Sequence, residues 1–382
     1  MTVLVRALAE AGADIDLYVP SCPVNFGDLD SLRLFTEAEH DSALGKRLNG
    51  NPLAQFAWAQ WVRGRAHSRL VERLVEEHRR QRYDVIYQFS QPELLTLRRR
   101  RELPPIVVHP EVHAAGELAW HRREDRIARQ VESRLRTYAV RGMLSLRAAI
   151  QRRDLGSVEA VICPSEVFAR LLVDDYRLPP GKLRVVPNPV DLKRFKPAEK
   201  AVHQREIVFV SRMSVRKGVE LIVDLSKRLD DLSSNIRIKA IGNWTMWSDY
   251  RSLLRSLNPQ TSEFIGYVES RELPSVLARA SLLIQPSHYE PFALTVAEAL
   301  ASGTPVVASD QVGAMEWVSP ESSATFPAGN AAAFEHAVRG MLARIEIGEA
   351  DVSAHARADA EKAFAPAVVA EQLLDVLKEV AR

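Results

Sequence analysis

Cysteine is almost missing from this chain: Cys22 and Cys163 are the only two in 382 residues. Two lone thiols give no disulfide framework, which excludes the small disulfide-built classes and leads us to expect a reducing, cytoplasmic setting. No stretch approaches the roughly 20 consecutive apolar residues of a membrane-spanning helix. An excess of one charge sign is lacking too. Lys and Arg number 51 against 49 Asp and Glu, a net charge of +2, and that balance does not argue for nucleic acid. Lysine itself is absent between Lys46 and Lys182, where arginine supplies the basic charge. Solenoid repeats and low-complexity tracts are not found either.

What is present is a globular composition, 46% hydrophobic and 26% charged. The length exceeds one small core, so two domains are expected. Short β-branched runs alternate with helical stretches, beginning with "DIDLYVP" (14–20), "YDVIYQF" (83–89), "PIVVH" (105–109) and "AVICPS" (160–165). A second series holds "REIVFVS" (205–211), "NIRIKAIG" (235–242), "SEFIGYV" (262–268), "ASLLIQPS" (280–287) and "TPVVAS" (304–309). Continuous apolar strands separated by helices mark parallel sheets covered on both faces. The expected fold class is α/β, with two Rossmann-like doubly wound domains facing across a cleft. The first is placed at 1–187, a linker with prolines and no clear period at 188–204, and the second at 205–364. Residues 365–382 read as an amphipathic helix with Val368, Leu373, Leu374 and Leu377 on one stripe. Ligands of open α/β sheets sit beyond the carboxyl ends of the strands, which here means in the cleft.

Two stretches at such strand ends carry chemistry. "SLLIQPSHYEPFALTVAEALA" reads as strand, turn and helix, with Pro291 placed near the first helical turn. The N–H groups around Ala293, Leu294 and Thr295 then lack intrahelical partners and form an anion site suited to phosphate. Glu290 stands just before that helix, and Glu298 lies on it about one turn beyond, where a carboxylate can accept two hydrogen bonds from a ribose diol. "FVSRMSVRKGVELIV" (209–223) also reads as strand, basic turn and helix. Arg212 and Lys217 place two cations at the strand's mouth, a pair suited to a diphosphate and to the charge on a departing one. Pattern alone leaves two plainer readings open: a Glu298 that only complements the helix dipole, and a solvated basic loop.

Together these motifs resemble family 4 glycosyltransferases of the GT-B fold. "EPFALTVAEALASGTPVVAS" is similar to that family's paired-glutamate signature, "SRMSVRKG" to its Arg–Lys donor motif, and "VVPNPVDLKRFKP" to its linker. The likeness runs from about residue 158 to the end, with the motifs in order and spacing. It implies retaining transfer from a nucleotide-diphosphate sugar without a bound metal or other cofactor, to a small-molecule, glycan or lipid-linked hydroxyl acceptor. Glu298 would hold the ribose, Glu290 the transferred sugar, and Arg212 and Lys217 the diphosphate, aided by Ala293, Leu294 and Thr295. The base would lie against Tyr267 and Val268, and the tail helix would cross back onto the first domain. The chain departs from the family at Ala293 and Pro189, where glycine is commoner, and at Val312. Ala293 is a modest change if the turn needs only a small residue.

The first half resembles the family less closely. "PIVVHPEVHAAGE" (105–117) looks like the region where such enzymes keep a histidine near the sugar. His109 and His113 are both candidates, with His113 preferred because it follows the strand in a loop expected to face the cleft. "DID" (14–16) has the form of a metal-binding D-x-D, but it opens a strand and reads as structural. The arginine-rich run 134–153 suits either a helix covering the first domain or peripheral contact with an anionic membrane face. "MTVLVRALAEAGADIDLYVPS" resembles the fold's first helix and second strand, which leads us to expect an upstream start, or another segment or partner chain pairing at the N-terminal sheet. A non-catalytic nucleotide-sugar-binding protein and a sugar-nucleotide epimerase are the alternatives in function.

Overall fold

The computed structural model describes residues 2–22, 24–37, 52–123, 125, 133–198, 205–232, 234–243 and 251–382. Every strand pairing in it is parallel. In the first half, β1 (Ile15–Val19) pairs with β2 (Leu32–Thr36). A separate four-stranded sheet follows in the order β3 (Ile86–Ser90), β4 (Ile106–Pro110), β5 (Ala160–Cys163), β6 (Leu183–Val185). Among the described residues β1 and β3 do not pair, and both are half-buried along their length. Side chains alone tie them: the Tyr83 hydroxyl meets the Tyr18 hydroxyl at 2.8 Å and donates to Asp16 at 2.5 Å. Asp16 also accepts from Arg33, so the second aspartate of "DID" is occupied by structural bonds.

The central strands are fully buried, and their side chains alternate between two cores. Val107, Ala160 and Ile162 face the helix Thr2–Glu10 and the C-terminal helix Pro366–Ala381, through Leu4, Leu8, Val369 and Leu373. Ile106, Val108, Val161 and Cys163 face the other way, onto the helix Glu166–Tyr176. The last helix of the chain thus packs on the first half's sheet. It starts at Pro366, where a missing N–H costs nothing.

The second sheet has six strands in the order β12 (Ser323–Phe326), β11 (Val306–Ser309), β10 (Leu282–Gln285), β7 (Arg205–Val210), β8 (Ile236–Ile241), β9 (Ser262–Gly266). The chain steps outward from β7 to β9, returns beside β7 at β10, and then steps outward the other way. The reversal therefore lies between β7 and β10, where an open parallel sheet leaves a crevice at the carboxyl ends of its strands.

Three differences from the sequence reading have physical reasons. β2, β6 and β12 are short or carry exposed residues, so they give no continuous apolar run. The helix after β10 spans Leu294–Ala301, so Pro291 lies three residues before it rather than in its first turn. Ala293 has φ 78° and ψ 79°. That turn needs the left-handed conformation, not merely a small side chain, and alanine is strained there.

Candidate active site

Both charged motifs emerge at the β7/β10 reversal. β7 ends in a turn carrying Arg212, which is exposed, and then a short 3-10 segment, Val215–Lys217. Gly218 follows at φ +77°, and a Cβ there would sit 2.2 Å from the carbonyl oxygen of Pro286. Glycine alone lets the basic turn approach the segment after β10 so closely. Across that contact Lys217 forms an ion pair with Glu290, and both side chains are nearly buried. Burial, then Arg216 and Arg212, lower the Lys217 ammonium well below its ordinary pKa. A nearby dianion would oppose that, because added negative charge favours the ammonium form.

Glu290 is held by its backbone as well. Its N–H donates to Gln311 at 3.1 Å and its carbonyl accepts from Gly313 at 3.1 Å. The helix Leu294–Ala301 begins next to it with no side-chain cap. Leu294 is 43% exposed, so the N–H end of the helix meets solvent at the crevice. Glu298 lies one turn further on. Burial raises its carboxyl to about 7, opposed by Arg194. Tyr267 is 67% exposed beyond the end of β9, while Val268 packs against the core beside it. The N–H of Gly242, at the end of β8, donates to the Gly266 carbonyl at 2.8 Å and fixes that edge.

The two histidines fare differently from expectation. His113 does not line an open cleft: it is completely buried, and both ring nitrogens are taken. Nδ1 meets the Tyr289 hydroxyl at 2.5 Å and Nε2 meets Asp175 at 2.6 Å. The preference for it over His109 is corrected accordingly. His109, at the end of β4, is also buried, and its Nδ1 meets the Tyr87 hydroxyl at 2.6 Å. Its Nε2 has no partner among the described residues. Burial lowers its pKa to about 3, so the ring is neutral near neutral pH. Of the two, only His109 has a nitrogen left for a ligand.

The chain's first half, residues 1–194, matches the profile of Glycosyltransferase Family 4, and residues 191–350 match Glycosyl transferases group 1. The chain belongs to glycosyltransferase family 4. Mannosylfructose-phosphate synthase of Agrobacterium fabrum is 28% identical over 189 residues, 44% of this chain and 42% of that protein. The chain spans less than two thirds of the length of the curated relatives it matches. In three dimensions, sucrose-phosphate synthase of Thermosynechococcus elongatus superposes with a TM-score of 0.70 at 20% identity, over 99% of this chain and 91% of that one. HepE of Anabaena, solved with UDP and glucose, gives 0.64 at 16% identity over 98% and 95%. The fold of this family 4 chain is thus the GT-B fold.

Several residues that shape the site were not marked out as site residues by sequence reasoning. Arg216 donates to the Tyr289 carbonyl at 2.9 Å and lies over its ring. Glu316 accepts from the N–H groups of Glu166 and Val167, both at 2.7 Å, and so caps a first-half helix from the second half. Their partners lie far off along the chain, and no local pattern announces them.

Proposed function

We propose that this family 4 chain transfers a sugar from a nucleotide-diphosphate sugar to a hydroxyl acceptor, retaining the anomeric configuration and needing no metal. The carrying observation is the meeting of Lys217, Glu290 and an uncapped, exposed helix start at the β7/β10 reversal. In this reading Arg212, Lys217 and the N–H groups at Leu294 and Thr295 hold the diphosphate. The same groups take up the charge that gathers on it as the glycosidic bond breaks. Glu290, set by Lys217, contacts the sugar. Glu298 accepts the ribose hydroxyls, and the base lies against Tyr267 and Val268. The acceptor hydroxyl approaches on the face the diphosphate leaves, assisted by that departing group. His109 offers its unpartnered Nε2 to the sugar from the first half.

Two supports stand behind the donor class. HepE was solved with UDP and glucose, and its fold is this one. The raised Glu298 carboxyl is also what a ribose acceptor kept from water should show. On the first half, the helix Arg134–Gly156 exposes Leu135, Tyr138 and Leu146 beside Arg134, Arg152 and Arg153. That face supports an acceptor met at an anionic membrane surface within the cytoplasm. Incubation with a panel of nucleotide sugars, followed by mass spectrometry, tests the reaction. Slow donor hydrolysis or transfer supports it, whereas an isomeric sugar or no turnover with any donor overturns it.

A further inference from the structure

The segment after β10 does more than carry Glu290. His288, Tyr289 and Pro291 each touch the first half, while Glu290 between them turns to Lys217. His288 stacks on Trp120 with ring centroids 4.9 Å apart and bonds Glu220 of its own half. The Pro291 carbonyl accepts from the Ser165 hydroxyl at 2.7 Å. Tyr289 enters the first half outright: it is 4% exposed, edge-on to His113 with centroids 5.6 Å apart. His113 is in turn edge-on to Phe168 and Tyr176. A carboxylate can only accept, so the Asp175 contact puts a proton on His113 Nε2. In the neutral ring Nδ1 is then left to accept from the Tyr289 hydroxyl.

We propose that Tyr289, seated on His113 and Asp175, is a positioning residue that places Glu290 against the donor only when the two halves are closed. The inference rests on the donor-site reading above. Tyr289 and Glu290 are consecutive, so a shift of one ring is passed directly to the next carboxylate. Arg216 stiffens the joint by gripping the Tyr289 carbonyl from the second half while His113 grips the hydroxyl from the first. The seat also has no spare room. At Gly116, inside the helix Ala114–Arg123, a Cβ would lie 2.5 Å from His113 Cε1 and 2.9 Å from Tyr289 Cζ.

That glycine supplies a clean perturbation. Alanine favours a helix interior over glycine, so Gly116→Ala strengthens its own helix and still wedges the seat. Tyr289→Phe attacks the same seat from the other side, keeping the ring and leaving His113 Nδ1 buried without a partner. Each variant should lower kcat by about tenfold or more. Each should leave the Kd for a bare nucleoside diphosphate within about twofold, since the diphosphate groups are untouched. Adding His113→Asn to Tyr289→Phe should cost less than the sum of the two changes, because the Tyr289–His113 bond is lost in both. Hydrogen exchange supplies a readout independent of turnover. The amides of His288, Tyr289, Glu290 and Gly313 should exchange faster in Tyr289→Phe than in the unmodified chain. If no donor is turned over by the unmodified chain, the catalytic reading fails, and the exchange data alone decide the seat. Unmodified kcat in both variants, an equal loss of nucleotide affinity, or unchanged exchange at 288–290 would overturn the proposal.

Discussion

Glu298 allows the most quantitative test. Its carboxyl is raised from the ordinary 4.5 to about 7 because burial disfavours the charged form. The sign for stability follows. The folded chain holds this proton to higher pH than the unfolded one, so its contribution is complete below about 4.5. It is lost as pH rises through about 7. Ligand binding runs the other way. A ribose diol donates to the ionised carboxylate, so a bound nucleotide sugar selects the deprotonated form. At about one pH unit below its pKa only about a tenth of the carboxyl is ionised, and each further unit costs about another factor of ten, or roughly 1.4 kcal/mol.

The assay is calorimetric titration with an intact nucleotide sugar, whose diphosphate diester does not itself titrate in this range. Affinity should fall about tenfold between about pH 8 and about pH 6. At the lower pH, repeating the titration in buffers of different ionisation enthalpy should reveal nearly one proton released per ligand bound. Glu298→Gln should bind more weakly than the unmodified chain at the higher pH and show neither the slope nor the proton. Lys217 does not imitate the effect, because its lowered ammonium gains charge in acid and can only oppose the slope. The same dependence on pH in Glu298→Gln and the unmodified chain would refute the ribose assignment.

Three shorter tests accompany it. Ala293→Gly should raise stability by about 0.5–1 kcal/mol by relieving a left-handed alanine, and a lower melting midpoint would contradict the strain argument. Turnover should survive a chelator while Arg212→Ala loses about tenfold or more; loss with EDTA and rescue by manganese would reverse that expectation. Vesicles containing anionic lipid should retain the chain, and Leu135→Ser with Leu146→Ser should release it by about tenfold. Equal retention of the variant would remove the membrane face on Arg134–Gly156.

The legible parts of the fold share one property: their signal is local. "IVVHP" and "AVIC" are buried on both faces, so nearly every residue is apolar, and the run is visible in the chain. β2 shows the opposite case. "LRLFT" has two exposed interior residues, and Arg33 is spent on Asp16 across the sheet. Its strand character comes from a partner, not from its own pattern. The candidate charged residues stood out for the same reason as β4, since Arg212 and Lys217 lie in one short stretch after β7 and Glu290 and Glu298 in another after β10.

His113 marks where local reading stops. As a histidine in a loop after a strand, it carries the features of a ligand contact. The bond that decides its role spans 176 positions, to Tyr289. The same limit explains why "HYEP" yields, as sequence, only a carboxylate and a proline near a helix start. In that tetrapeptide His288, Tyr289 and Pro291 find their partners at Trp120, His113 and Ser165, residues with no mutual pattern in the sequence. On the proposed reading, a carboxylate that meets a sugar only after closure needs neighbours that sense closure. Contacts to the other half from His288, Tyr289 and Pro291, around a Glu290 that faces its own half, meet that need. The chemistry of the segment is therefore written in one letter, and its mechanics in the other three.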